Sequence, residues 1–162
     1  MRRMYAIAIS LALLVATPGL ATGNTGPVLT GQQAIDYVIA RALSQRGLPY
    51  VYAGGNAVGP SRGTDPLVNT VGFDASGLIQ YAFAGVGLKL PRSSGEQYKV
   101  GRKIAPAQAR RGDLIFFGPD GSESVALLLG NGQVLEATEP VVAVSPVRTG
   151  NMTPYLTRII ES

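Results

Sequence analysis

The chain has 162 residues, 46% of them hydrophobic, which is enough to build one domain with a substantial core. Its 14 Lys and Arg residues outnumber its 10 Asp and Glu residues and give a net charge of +4 at neutral pH. It contains neither cysteine nor histidine. This excludes disulfides, a thiol nucleophile, an imidazole base and any zinc site built from those residues.

The N-terminal segment has the layout of a secretory signal peptide. Arg2 and Arg3 form a basic start, residues 5–15 form an apolar run too short to span a bilayer comfortably, and Ala21 offers a small-residue cleavage site. An uncleaved membrane anchor is the alternative. Removal of the leader would take two arginines away and leave a net charge of +2. That charge does not predict a nucleic-acid-binding protein.

These features predict the domain organisation. We expect a signal peptide over residues 1–21, a short linker over residues 22–30 and a single domain over residues 31–162. The leader predicts a secreted protein that meets the membrane only transiently, through its signal peptide.

The first predicted element of the domain is an amphipathic helix. Thr30 and Gln33 have the spacing of a capping box, and Gly47 marks the end of the segment. Residues 48–55 predict a short extended piece that runs into a turn. Residues 56–71 predict a loop that is long for a structureless connection, so we expect it to be functional or mobile. The apolar stripe of the helix is formed by Ile35, Val38, Ile39 and Ala42.

A sharp turn and a second helix follow at the centre of the chain. Asp74 is a suitable N-cap, and Gly85 ends the apolar run. Ala75 lies in the first turn, on the buried face. A cysteine at this position would have its thiolate stabilised by the helix N-terminus, whereas an alanine has no such chemistry. The stripe consists of Ala75, Leu78, Ile79 and Ala82.

The rest of the chain predicts one more helix start and then short strands. Ser94 and Gln97 have capping-box spacing, and Arg92 just before them suits either a binding role or a plain solvated turn. Helices followed by hairpin-linked strands are typical of the α+β class. The strands are expected within residues 110–117 and at 124–129, 133–137, 141–147 and 156–160.

Several segments resemble the NlpC/P60 family of cell-wall peptidases. Residues 73–78, Phe-Asp-Ala-Ser-Gly-Leu, resemble the family's Phe-Asp-Cys-Ser-Gly-Leu signature with alanine in the cysteine position. Residues 48–55, 90–97 and 110–117 resemble the family's Pro-Tyr-x-Trp-Gly-Gly, Leu-Pro-Arg-Thr-Ser-x-x-Gln and Pro-Gly-Asp-Leu-x-Phe-Phe segments. The resemblance implies a papain-like fold, with helices packed on an antiparallel sheet of about five to six strands. The chain is also similar to the family's RipD-like group, which is implied to bind peptidoglycan without catalysis.

The resemblance also implies where catalytic groups would stand. The family's cysteine, histidine and third polar residue fall on Ala75, Ser124 and Glu136. Along two alternating strands of a hairpin, Ser124 can point at the same groove as Glu136. A carboxylate of ordinary pKa is a poor base for a serine hydroxyl, and no lysine has a sequence reason to face the groove. We therefore expect a degenerate triad and no hydrolysis.

The expected function is a non-catalytic peptidoglycan-binding domain without metal or cofactor, located in the cell wall or periplasmic space as a monomer. Asp74 can meet a ligand ammonium or serve only as a helix cap, and Tyr50 offers an aromatic face with a hydroxyl. Two alternatives are an endopeptidase with a relocated serine nucleophile and a protein that regulates active cell-wall hydrolases by binding them. The expected ligand contacts are Tyr50, Asp74, Ser76, Arg92, Ser124 and Glu136.

A basic cluster is a further feature of the sequence. It lies between the central helix and the first strand, against Glu96 and Asp113. The cluster either favours anionic wall polymers or is a solvated face. Its members are Lys89, Arg92, Lys99, Arg102, Lys103, Arg110 and Arg111.

Overall fold

The computed structural model describes residues 28–162, which form helices in the first half and a sheet in the second. The predicted signal peptide and most of the linker lie outside these residues. Within them, no helix is long and apolar enough to cross a membrane. The helices are α1 (Gly31–Leu43), α2 (Ala75–Ala84) and α3 (Ser94–Tyr98), and two short 3-10 turns cover Pro106–Gln108 and Pro119–Gly121. The strands are β1 (Arg102–Ile104), β2 (Leu114–Phe117), β3 (Ser124–Gly130), β4 (Gln133–Ala137), β5 (Val142–Pro146) and β6 (Leu156–Arg158).

Side-chain caps fix where the helices begin. The capping box of α1 is confirmed, since Thr30 accepts from the amide of Gln33 at 3.1 Å while the Gln33 side chain accepts from the amide of Thr30 at 2.9 Å. The capping box predicted for α3 is wrong by one residue. Ser93 is its N-cap and accepts from Glu96 N at 3.4 Å. Gln97 is fully buried, which removes its side chain from the helix end.

The six strands form one sheet in the order β1-β6-β2-β3-β4-β5, with every pairing antiparallel. The predicted α+β class and the predicted number of strands are confirmed. The β3–β4 hairpin turns at Asn131 and Gly132, which both have positive φ, as its tight turn requires. Strand β1 was not predicted, because its two polar residues Arg102 and Lys103 lie on a three-residue edge strand that pairs only with the distant β6.

The sheet has two differently packed faces, since successive side chains of a strand alternate between them. On β3, Val125 and Leu127 belong to the main core, which α1 and α2 complete. Ala126 belongs instead to a smaller apolar cluster on the opposite face, together with Val134 of β4 and Phe117 of β2. This alternation decides which way the polar side chains at the strand ends point.

A buried ion pair ties β6 to the segment before β2. Arg158 Nε and Nη2 each donate to one carboxylate oxygen of Asp113 at 2.8 Å, and the two side chains are only 7% and 2% exposed. The hydrogen bond to Asp113 and its negative charge raise the pKa of Arg158, which keeps the guanidinium charged. The carboxylate also accepts from the amide of Arg110 at 2.7 Å. Both carboxylate oxygens of Asp113 therefore accept hydrogen bonds, as a buried charge requires.

Candidate functional site

A groove of about 720 Å³ opens at the N-terminus of α2. One side is formed by Tyr50, Tyr52 and Ala53 and by the start of α2. The start of β3 and the end of β4 form the other side. The groove brings together Tyr50, Asp74, Ser76, Arg92 and Ser124, five of the six predicted ligand contacts, and Ala75. Thr64 also lines it, so the long loop of residues 56–71 borders the groove.

The floor of the groove is the first turn of α2. The Asp74 carboxylate caps the helix by accepting from Gly77 N at 2.7 Å, as predicted. Ala75 follows directly and is 9% exposed. It presents a methyl group at a position where the partial positive charge of the helix N-terminus would stabilise a negatively charged side chain. Ala75 can therefore contact a ligand through van der Waals packing, but it offers neither a charge nor a nucleophile.

Arg92 anchors this turn to its surroundings. Its Nη1 lies 2.9 Å from Asp74 Oδ1 and donates to Ser76 Oγ at 2.8 Å, while Nη2 donates to the carbonyl of Gly54 at 2.9 Å. Gln97 supports the same turn from below, donating to the carbonyl of Ser76 at 3.0 Å. A plain solvated turn, the simpler interpretation of Arg92, does not describe these contacts. Arg92 forms an ion pair with the capping carboxylate and donates a hydrogen bond to the Ser76 hydroxyl oxygen.

Glu136 lies outside the groove lining. By strand alternation it shares the sheet face of Val134, and Ser124 shares that of Ala126, so both point away from the main core. The Glu136 side chain is 7% exposed and accepts from Nε and Nη2 of Arg148 at 3.3 and 3.2 Å. Ser124 lines the groove at its edge, whereas Glu136 is already held in an ion pair.

Arg148 is a contact that sequence reasoning missed. It follows β5, and its guanidinium carbon lies 3.5 Å from the centre of the Phe117 ring, so it stacks on the ring and binds Glu136 at once. A pairing between strand ends twelve residues apart has no periodic signature in the sequence. The signal in the sequence was the carboxylate of Glu136 among the apolar residues of β4, which indicates that Glu136 needs a partner but does not identify it.

The opposite wall is aromatic and partly acidic. Burial, and then the negative charges of Asp74 and Glu139, raise the pKa of Tyr50, so its phenol stays protonated and can donate a hydrogen bond at neutral pH. Tyr52 is 77% exposed at the groove edge. Two lining carboxylates, Glu123 and Glu139, were not among the predicted contacts because both lie in turns that carry no motif.

The arrangement offers recognition groups but no catalytic couple. Ser76 Oγ accepts from Arg92 and lies 3.4 Å from Asp74 Oδ1, and that carboxylate oxygen is itself paired with the same guanidinium. Within residues 28–162, no lysine lines the groove, and no group of three or more metal-binding side chains is found. The groove can hold a ligand through aromatic faces, hydroxyls and carboxylates.

Comparison with known proteins places the chain in a family. Residues 47–161 match the NlpC/P60 family, and the chain belongs to that family. It is 57% identical over 150 residues to the peptidoglycan endopeptidase RipA of Mycolicibacterium smegmatis, covering 91% of this chain and 30% of RipA. It is 55% identical over 150 residues to the peptidoglycan endopeptidase RipB of Mycobacterium tuberculosis, covering 90% of this chain and 62% of RipB. The chain thus spans less than two thirds of either relative.

Solved structures include both a non-catalytic relative and variants of a hydrolase. RipD from Mycobacterium tuberculosis, a non-catalytic NlpC/p60 domain protein adapted to peptidoglycan binding, superposes with a TM-score of 0.76. It is 67% identical, covering 80% of this chain and 99% of that structure. Three RipA structures carry mutations at a cysteine, a histidine and a glutamate, spaced forty-nine and twelve residues apart. The same intervals separate Ala75, Ser124 and Glu136.

Proposed function

We propose that this chain binds peptidoglycan without cleaving it. The observation that carries the proposal is an intact groove whose floor is the methyl group of Ala75. Around that methyl group, the helix cap, the Arg92 anchor and the aromatic wall are all in place. The intervals shared with the mutated RipA positions support the same placement of a vacant triad. A chain without cysteine or histidine cannot supply the missing groups from elsewhere in its own sequence.

The groove favours a peptide ligand that carries an amino group. Asp74 is neutralised by Arg92, so the negative charge available to a ligand comes from Glu139 and Glu123. These carboxylates attract a ligand ammonium, and the Tyr50 phenol donates to a peptide carbonyl. The partly exposed Arg92 can receive a ligand carboxylate beside them. Stem peptides of peptidoglycan combine all three kinds of group.

The same proposal covers location and assembly. Residues 1–21 act as a signal peptide that is removed near Ala21, and the domain works in the cell wall as a monomer. The relatives RipA and RipB are named as peptidoglycan endopeptidases, which supports a cell-wall setting for this chain.

A second candidate function is the regulation of an active cell-wall hydrolase by direct contact. The observation in its favour is a set of exposed apolar side chains: Val58 and Leu67, in the long loop, are both 89% exposed, and Tyr52, just before that loop, is 77% exposed. Large exposed apolar side chains are surfaces that a protein partner can cover. A relocated serine nucleophile has less support, because Ser76 is bound by a cation and no lysine reaches the groove within the described residues.

The experiment that tests the proposed groove is a substitution that fills it. Thr138 lines the groove at the end of β4 and is half-buried, so Thr138→Trp should occupy ligand space while the core stays intact. We expect co-sedimentation with insoluble peptidoglycan to weaken at least about tenfold, which corresponds to roughly 1.4 kcal/mol. Thr149→Trp, on an exposed loop, is the control and should sediment like the parent. Equal sedimentation of all three proteins would place binding outside the groove.

A further inference from the structure

A second hollow, of about 410 Å³, lies on the edge of the sheet and shares no lining residue with the groove. Arg102 of β1, Arg158 of β6 and Arg110, which follows the first 3-10 turn, line it. The remaining lining consists of Ala107, Gln108 and Ala109, and no carboxylate is among the lining residues. Three arginines from three separate segments therefore line one open space.

The fold brings these like charges together at an energetic cost. Arg102 and Arg158 are direct partners in the antiparallel β1–β6 ladder, and like charges in such positions destabilise a sheet. Asp113 raises the pKa of Arg158 and the charge of Glu161 acts in the same direction, whereas the charge of the nearby Arg102 lowers it. Arg110 adds a third positive charge. An anion in the hollow would relieve this repulsion.

The hydrogen-bonding capacity of the three arginines is only partly used. Arg158 binds Asp113, and Arg102 binds Glu161 through Nε and Nη2 at 2.6 and 3.0 Å, so each of these arginines has Nη1 left over. The side chain of Arg110 makes no hydrogen bond within residues 28–162. The two carboxylates nearby are each taken by one guanidinium fork. Among the described residues, the guanidinium of Arg110 and the Nη1 groups of Arg102 and Arg158 have no hydrogen-bond partner, so their donors are available to a ligand.

We propose that this hollow binds a phosphate-type oxyanion. A carboxylate can be held by a single guanidinium fork, as Arg102 holds Glu161. Donors from three arginines better suit a phosphate group, which has three terminal oxygens in a monoester and two in a diester. The hollow is also larger than a bare phosphate, so a sugar or a polymer chain can remain attached. The source is either a soluble phosphomonoester or the phosphodiester of a wall polymer.

The test is a titration of the purified protein, followed by backbone amide NMR shifts, with inorganic phosphate, methyl phosphate, dimethyl phosphate and acetate at constant ionic strength. We expect saturable shifts in residues 102–110 with inorganic phosphate. Arg110→Ala should weaken binding about tenfold, because one charge-assisted contact is lost while no structural bond of that side chain is broken. Arg46→Ala removes an exposed arginine elsewhere and should change nothing.

The two esters separate the possible sources. Saturable binding of methyl phosphate alone indicates a soluble phosphomonoester, and binding of dimethyl phosphate indicates a polymer phosphodiester. The proposal is overturned if inorganic phosphate gives no saturable shifts, if Arg46→Ala weakens binding as much as Arg110→Ala, or if acetate binds equally well. Thr138→Trp should leave phosphate binding unchanged, so the result does not depend on the groove.

Discussion

The Ala75→Cys, Ser124→His double variant is expected to release muropeptides from peptidoglycan, while the parent protein releases none. The thiol would stand in the first turn of α2, where the helix terminus stabilises a thiolate. The imidazole would stand at the groove edge, on the sheet face that Glu136 shares. Glu136 is bound by Arg148, but a carboxylate has acceptor sites enough for a second donor.

The two single variants are the matched controls for this gain of activity. Without an imidazole the thiol has no general base and the leaving group no general acid, and without a thiol the imidazole has no nucleophile to activate. The double variant should therefore exceed either single variant by at least about a hundredfold, the usual contribution of a general base. A folded but inactive double variant would contradict the view that the groove is a vacated catalytic scaffold.

The largest expected effect on stability is that of Asp113→Ala. It would leave the guanidinium of Arg158 buried without its counter-ion, and would also remove the acceptor for the amide of Arg110. Breaking one side of a buried ion pair costs about 3–5 kcal/mol. We expect the free energy of unfolding, measured in urea, to fall by that amount.

Asp36→Ala is the control for this substitution, because Asp36 also pairs with an arginine, Arg111, but on the surface. Exposed pairs contribute little, so this variant should unfold close to the parent. Replacing Arg158 with Met in the Asp113→Ala background should restore part of the lost stability, since it removes the uncompensated charge. An Asp113→Ala variant as stable as Asp36→Ala would show that the pair does not hold β6 in place.

Local signals were sufficient to predict much of the fold. The caps at Thr30 and Asp74 are found where the side-chain spacing predicted them, because each involves hydrogen bonds across three residues of chain. The β3–β4 hairpin follows from its Asn-Gly turn. The α+β class required only the order of helices and strands.

Features that depend on distant partners were not predictable from the sequence. Arg92 gains its role from the carbonyl of Gly54, thirty-eight residues earlier, and Arg148 from Glu136 and Phe117 on other strands. The N-cap of α3 was displaced because burial of Gln97 outweighs the capping box that its spacing suggested. In each case tertiary packing decides between local options that the sequence leaves equal.

The most direct measurement is incubation of the purified protein with insoluble peptidoglycan, with sedimented protein and released muropeptides assayed in the same sample. We predict that the parent protein sediments with the wall material and releases no muropeptides. Release by the parent would contradict the absence of catalysis and redirect attention to Ser124 and Ser76. A protein that stays in the supernatant would contradict peptidoglycan binding and favour a protein partner.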